Sequence, residues 1–471
     1  MTPPSWWVLH GDSAAVLKQF PDCSFDSVVC DPPAGIAFMS KKWDNNLGSR
    51  ARWVAWLAGI MRECLRVLKP GGHALVWALP RTSHWTTTAL EDAGFEVRDI
   101  VMHVFGTGFP KSMDVGKAID KAAGVDREVI GRKITGTMNG KPGATVNADG
   151  AWASGQTEVD VTAPATDAAK QWDGWGTALK PAAEHWILVR KPLVGTVVVN
   201  LQAHGTGAIN VAGCRVESGE LVTNHARSAD GAVSKGIYGD STEQSTHQTE
   251  GQKLGRWPPH LVLSHAEGCE PIGPQKVRAT SIHGEATATR RSGVHAAAKG
   301  HQTVGRVQPV RGFADADGTE TIDAWECVEG CPVAMMDAQG GASRFFPRFQ
   351  YVAKPSTRER EAGLGDHEER RPDTGRTPGA PGGDNPRNRG GNARKNSHPT
   401  VKATTLMRWL VRLITPPGGR VLDPFAGSGS TGLACLQEGM VFVGIEREAE
   451  YVAIARARLV HAAAELGGSD E

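Results

Sequence analysis

An α/β fold on a parallel sheet, with strands supplied by both ends of the chain, is what this sequence predicts. Three observations predict it. Residues 7–105 alternate short apolar runs with helix-period patterns, which argues for a parallel sheet with helices on its faces. The alternation resumes at 402 and continues to 466. A glycine-rich strand-to-helix loop stands among these later elements, yet only 25 residues follow Glu446, the acidic residue that ends the next strand. Those residues hold one helix. The other strands must come from the N-terminal half, so the sheet is circularly permuted.

In chain order, Trp7–Leu9 reads as a strand ending at Gly11-Asp12, and Ser27–Cys30 as a buried strand ending at Asp31-Pro32-Pro33. Ala51–Leu68 has an apolar period of about 3.6 and stops at Lys69-Pro70-Gly71-Gly72. His73–Leu79 is a strand, a helix follows to Ala93-Gly94, and Val97–Val104 is a strand again. Residues 106–185 are rich in Gly, Thr, Ala and Asp, with one short helix near Val115–Ala123 and a long mobile insertion expected over Ile134–Ala169. Residues 186–355 carry scattered short strands (Ile187–Val189, Thr196–Asn200, His260–Leu263) and read as a second, irregular domain. Residues 356–397 are too polar and too rich in Pro and Gly to bury a core and read as a disordered linker or loop. Then come a helix over Lys402–Thr415, a strand over Arg420–Leu422, a helix over Ser430–Glu438, a strand over Val441–Ile445 and a last helix from Glu448 to about Leu466.

The chain has 471 residues, 52 basic and 51 acidic, for a formal charge of +1. A strongly basic coat is excluded, though a local basic cleft is not. No apolar run reaches the roughly 18 residues of a membrane-spanning helix. The opening Met-Thr-Pro-Pro-Ser-Trp-Trp lacks the basic and apolar regions of a signal peptide. Eight cysteines in so long a chain make no disulfide scaffold and fit a reducing compartment.

The loop Asp423-Pro424-Phe425-Ala426-Gly427-Ser428-Gly429-Ser430-Thr431-Gly432 follows a strand and opens a helix. Its glycines let the backbone turn tightly and approach a ligand. Glu446, on the next strand, can accept both hydroxyls of a ribose. The glycines also fit the dinucleotide fingerprint, but the permuted order speaks against a dehydrogenase. At Asp31-Pro32-Pro33 a strand ends in an acceptor side chain, and two prolines fix the backbone beyond it. The Asp31 carboxylate and the Pro32 carbonyl can together accept hydrogen bonds from one exocyclic amino group, aiming its lone pair at an electrophile as charge develops. The plainer reading of Asp31 is a strand-end turn residue.

These motifs resemble those of the S-adenosylmethionine-dependent amino-group DNA methyltransferases. The glycine loop resembles their cofactor motif and Asp31-Pro32-Pro33 their catalytic motif, in the order of the beta group. His398-Pro399-Thr400-Val401-Lys402 resembles the segment before their cofactor strand, and Gly11-Asp12 their adenine-contacting loop. Segments at 106–112, 174–182 and 343–346 resemble stretches common in phage and actinobacterial members. The resemblance implies a Rossmann-like methyltransferase sheet built from 1–105 (catalytic half) and 398–471 (cofactor half), an insertion with target recognition over 106–355, and a linker at 356–397. It implies S-adenosyl-L-methionine as cofactor, with Phe425, Gly427 and Gly429 lining it, Asp423 at its methionine end, Glu446 on its ribose and Asp12 on its adenine. Thr400 and Lys402 close the methionine side, and His398 is either a ligand contact or a helix-entry residue.

The implied partner is double-stranded DNA, as in restriction–modification, in the cytoplasm of a bacterial or phage-infected cell. Adenine N6 is the expected target because Asp at the motif is commoner among adenine enzymes; cytosine N4 is the alternative. The base must leave the duplex to reach such a pocket. Where the family has an aromatic residue after the two prolines, this chain has Ala34. Either Phe38 or Trp43 supplies the stacking face, or the pocket takes a different base or bulkier donor, or the chain is an inactive DNA-binding homologue. Finally, His265-x3-Cys269 and Cys327-x3-Cys331 have the spacing of a tetrahedral zinc site; the alternative is unrelated small buried cysteines. Oligomeric state and recognition sequence are not encoded in these motifs.

Overall fold

A computed structural model of the chain describes residues 5–36, 42–106, 112–135, 157–216, 255–278 (without 267–268), 319–349 (without 330, 339–342 and 344–345), 357–370 and 394–467, with short paired segments between 137 and 154 and at 224–225 and 246–247. The strands are β1 (Trp6–His10), β2 (Phe25–Cys30), β3 (Leu68–Ala78), β4 (Glu96–Val104), β5 (Val129–Thr135), β6 (Thr157–Thr162), β7 (Ala183–Arg190), β8 (Leu261–Ser264), β9 (Glu270–Arg278), β10 (Thr319–Glu326), β11 (Arg348–Phe349), β12 (Arg420–Asp423) and β13 (Val441–Glu446). Nine of them form one sheet in the order β1-β13-β12-β2-β3-β7-β4-β8-β11. All run parallel except β7, which is antiparallel to β3 and β4. The permutation is explicit: the C-terminal strands β12 and β13 lie between the N-terminal strands β1 and β2.

Helices α2 (Arg50–Val67) and α3 (Ser83–Asp92) cover one face of the sheet, and α9 (Thr404–Ile414), α10 (Ser430–Gln437) and α11 (Ala449–Gly467) cover the other. Strand β2 is buried along its whole length, as a strand covered on both faces should be. Its Val28 and Cys30 join the α2 side while Val29 joins the α9 side. Helix α2 starts where the Ser49 hydroxyl accepts the Arg52 amide and buries Trp53, Leu57, Met61 and Cys64 at helical spacing. It ends at Val67, ahead of Pro70, and the chain enters β3 at once.

Four expectations need correcting. Thr196–Asn200 is not a strand: Thr196 caps the helix α6 (Val197–His204) by accepting the Val199 amide, and Gly205 closes it at φ 72°. Local capping overrides the β preference of three valines. Ile187–Val189 and His260–Leu263 do fall in strands, but β7 and β8 extend the main sheet instead of building a separate body. The expected mobile stretch Ile134–Ala169 is ordered at both ends, where β6 pairs with β5 and α5 (Asp167–Gln171) begins. The expected linker 356–397 is packed at its described ends. There Leu364 is buried against Tyr451 and Ile454, and the Arg360 guanidinium donates to the Asn396 and His398 carbonyls. Two anchor residues suffice where composition alone suggests none.

Candidate active site

The carboxyl edge of the sheet opens into a cavity of about 1240 Å³ between the ends of β2 and β12. That exceeds the roughly 300–1,000 Å³ of ordinary ligand pockets and leaves room for two ligands side by side. Its walls bring together Asp12, Asp31, Pro32, Pro33, Ala34, Trp43, Thr400, Lys402, Asp423, Phe425, Gly427 and Glu446. These residues lie up to 434 positions apart in sequence (446 − 12).

The loop after β12 is held tightly. One Asp423 oxygen accepts the Phe425 amide at 2.9 Å and the other the Thr431 hydroxyl at 2.6 Å. Burial pushes its carboxyl up to about 7 against those two hydrogen bonds. The Glu446 carboxylate accepts the amides of Gly427 at 2.9 Å and Glu448 at 2.7 Å. Arg458, itself buried on α11, donates to the Ser428 carbonyl at 2.6 Å. Gly427 turns at φ 51°, and a Cβ there would stand 2.7 Å from the His398 imidazole. Gly429 turns at φ 81°, and a Cβ there would stand 3.2 Å from Ala455 of α11.

The fit of an adenosyl cofactor rests on features of this loop. Gly427 leaves bare backbone at the wall, Glu446 stands beside it, and the buried Ser430 hydroxyl at the mouth of α10 has no partner among the described residues. Asp12 stands at the rim and caps the short helix α1 (Ser13–Val16) by accepting the Ala14 amide at 3.0 Å. Thr400 is exposed at the opposite rim, where its amide donates to the His398 ring at 3.3 Å. His398 is a wall residue, edge-on to Tyr451 at 4.5 Å and stacked with Trp43 at 6.3 Å.

At the end of β2 the polar groups are fewer and charged. Lys402 Nζ lies 3.4 Å from Asp31 and 3.5 Å from Glu184, and 4.2 Å above the Trp77 ring. Burial pushes the Asp31 carboxyl up to about 6, with Lys402 opposing and Glu184 adding to the rise. Burial works the same way on Glu184, but Lys402 and His103 outweigh it and hold it at about 2. Two acids flanking one ammonium thus separate in acidity, and Asp31 is the one left able to exchange a proton near neutrality. Glu184, Trp77 and His103 have no motif. The available signal was an acidic residue, Glu184, heading the apolar strand that continues through Trp186 and Ile187.

After Ala34 the chain turns back. Gly35 adopts φ 70°, its amide donates to the buried Asp44 at 2.9 Å, and Trp43 arrives at the cavity wall. Phe38 lies outside the described residues. Away from the cavity, His265, Cys269, Cys327 and Cys331 converge, their ligand atoms all within 4.8 Å of one another.

No helix among the described residues is long and apolar enough to cross a membrane. Residues 306–457 match the N6/N4 family model described as DNA methylase. Over 62 residues the chain is 45% identical to the type II methyltransferase M2.DpnII of Streptococcus pneumoniae, covering 13% of this chain and 23% of that protein. It is 47% identical over 62 residues to the putative methylase YubD of Escherichia coli K12, covering 13% and 27%. The chain thus spans about a quarter of the length of these curated relatives. A solved structure, the M1.HpyAVI–SAM complex, aligns over 96% of this chain and 98% of its own at 12% identity with a TM-score of 0.35. The permuted sheet and the two motif loops on its one edge agree with the match over 306–457, and it is through that segment that the chain is similar to the N6/N4 DNA methylases.

Proposed function

We propose that the protein transfers a methyl group from S-adenosyl-L-methionine to an exocyclic amino group of a base flipped out of double-stranded DNA, with adenine N6 the first choice and cytosine N4 the second. The observation that carries this is the placement of two motif loops on adjacent strands. Asp31-Pro32-Pro33 and Asp423–Ser430 come from opposite ends of the chain and face one cavity large enough for both ligands.

Bound there, the cofactor supplies an electrophilic methyl on a sulfonium. Glu446 accepts the ribose hydroxyls with the lone pairs its two backbone partners leave open. Phe425 and Gly427 line the cofactor, Asp12 faces its adenine, and Asp423, Thr400 and Lys402 stand at its methionine end. Asp31 and the Pro32 carbonyl receive the target amino group and orient its lone pair. Pro33 holds the Pro32 carbonyl in place. The amino nitrogen gains the methyl and must lose one proton. Asp31, at about 6, is matched to take it near neutral pH. Lys402 keeps Asp31 ionised before that step.

In this reading 1–105 and 398–471 build the catalytic and cofactor halves. Target recognition lies within 106–355, beyond the strands β7, β8 and β11 that this region lends to the sheet, and 356–397 links it to the cofactor half. The setting is the cytoplasm. The test is incubation of the protein with methyl-labelled cofactor and genomic DNA, followed by digestion to nucleosides. Label in N6-methyladenosine supports the first choice and label in N4-methylcytosine the second. Binding of DNA and cofactor without label in either supports an inactive homologue, the reading that Ala34 favours.

A further inference from the structure

We propose that His265, Cys269, Cys327 and Cys331 bind one zinc ion that fastens the β9–β10 ribbon to the edge of the main sheet. The four residues come from separate places: directly after β8, directly before β9, directly after β10, and at the start of α7 (Pro332–Asp337). They nonetheless converge. Cys327 Sγ and Cys331 Sγ lie 3.4 and 3.8 Å from the same imidazole nitrogen, Nδ1 of His265. With Zn–S of about 2.3 Å and Zn–N of about 2.0 Å, a tetrahedron has edges of roughly 3.5–3.8 Å. Cys327 and Cys331 therefore already stand from the imidazole at the separations of one coordination shell, and Cys269 completes a group whose four ligand atoms lie within 4.8 Å of one another.

The surroundings are those of a closed structural site. His265, Cys269 and Cys331 are buried. The Ala266 amide points at Cys331 Sγ at 3.4 Å, the kind of contact that stabilises a metal-bound thiolate. The Trp325 ring stacks on His265 at 4.0 Å and fixes the imidazole plane. Four protein ligands leave no position for water or substrate, so the ion is structural and not catalytic. Three sulfurs and one nitrogen select zinc over the oxygen-seeking cations calcium and magnesium.

The fold gives the ion a task. The ribbon meets the sheet through a small apolar cluster whose buried members are Leu263, Ala266, Val333 and two of the cysteines themselves. So small a cluster anchors a two-stranded ribbon weakly, and a metal cross-link supplies what it lacks. The site sits at the carboxyl end of β8, on the edge that carries the cavity. Ser264, next to His265, shares a 2.8 Å hydrogen bond with His103, whose other nitrogen faces Glu184 at 3.7 Å. Fixing the base of the ribbon thus also fixes the strand that backs the Glu184–Lys402 pair.

The experiment is elemental analysis of the full chain purified without chelator, beside Cys327→Ser/Cys331→Ser and a control, Cys23→Ser, at an exposed cysteine elsewhere. The expected result is near one zinc per chain in the native and control proteins and loss of zinc in the double variant. Chelation of the native protein should open protease sites between 266 and 331. If the double variant fails to fold, cobalt exchanged into the native chain decides, through thiolate charge-transfer bands and tetrahedral visible absorption. A native chain without zinc overturns the proposal, as do stoichiometric iron, a disulfide among these cysteines, or native thiols at 269, 327 and 331 that react as fast as Cys23. None of these readouts uses methyl transfer, so they stand whether or not the enzymatic reading does.

Discussion

The loop after β12 and the segment after β2 leave neighbouring strands on the same edge of the sheet, yet they are held in different ways. In the first, Asp423 and Glu446 are each bonded twice by the protein, and buried Arg458 ties down Ser428. In the second, Asp31 has a single cation at 3.4 Å and an alanine where a ring would cover the base. On the proposed function the difference has a reason: a loop that always receives the same cofactor gains from being fully bonded in advance, whereas a segment that admits a base and changes its protonation must leave its acceptor accessible.

The sharpest way to break that contrast is Asp31→Ala. It removes the acceptor that the proposed reaction uses and no bond that holds the loop after β12. Turnover should fall by at least about 10²–10³-fold, the range for losing one preorganised polar group. Cofactor affinity measured by calorimetry should not change. A variant with near native turnover would remove Asp31 from the reaction. The converse is Glu446→Ala. It takes away the proposed ribose acceptor and frees the Gly427 and Glu448 amides, so cofactor binding should weaken by about 1.5–3 kcal/mol, roughly 10–100-fold. DNA binding in a mobility-shift titration should hardly move. Unchanged cofactor affinity would show that the loop does not use Glu446.

A smaller effect separates the two loops by pH. Asp31 is raised to about 6, above its unfolded value, so folding favours its neutral form. The stability it contributes is present below the unfolded value and is lost as pH rises through about 6. On the proposed mechanism activity follows the opposite course, because the acceptor must be ionised to take the proton. kcat/KM should rise with pH through about 6 and then level. Lys402→Met removes the cation that opposes the rise, so the limb should move to higher pH, while Asp31→Asn should abolish it and make the apo protein relatively more stable above that pH. A limb that stays in place in Lys402→Met would mean that Lys402 does not set the charge of Asp31.

Much of this was legible because strand ends carry short, dense signals. Asp31-Pro32-Pro33, the glycine loop and Glu446 each sit where an apolar run stops, and the strands on which they sit are the ones that the sheet interleaves from the two halves of the chain. Glu184 and Arg458 were not legible. Each acts through partners hundreds of residues or a whole helix away, and neither belongs to a local pattern. The three valines of α6 misled for the opposite reason: their propensity was clear, but the Thr196 cap and Gly205 closed a helix around them. Region 186–355 hid strands of the main sheet because β8 and β11 pair over so few residues that composition cannot distinguish them from loop.

The smallest expected effect tests the missing ring. Gly35 at φ 70° and the Gly35–Asp44 hydrogen bond fold the segment back and set Trp43 in the cavity wall, on the side of His398. A flipped base must recover its lost stacking on some face, and Trp43 is the described aromatic of this segment that is placed to offer one. Because that ring also rests beside His398, the face left for a base is partial, and the gain should lie at the low end of the stacking range, about 1 kcal/mol. Trp43→Ala should therefore lower 2-aminopurine fluorescence at the target position and raise KM for DNA several-fold, with cofactor affinity unchanged. Ala34→Tyr in the same background should restore extrusion, since it returns a ring to the place beside the two prolines. If Trp43→Ala leaves extrusion and KM as they were, Trp43 is only a prop for His398, and the stacking face lies elsewhere in the pocket.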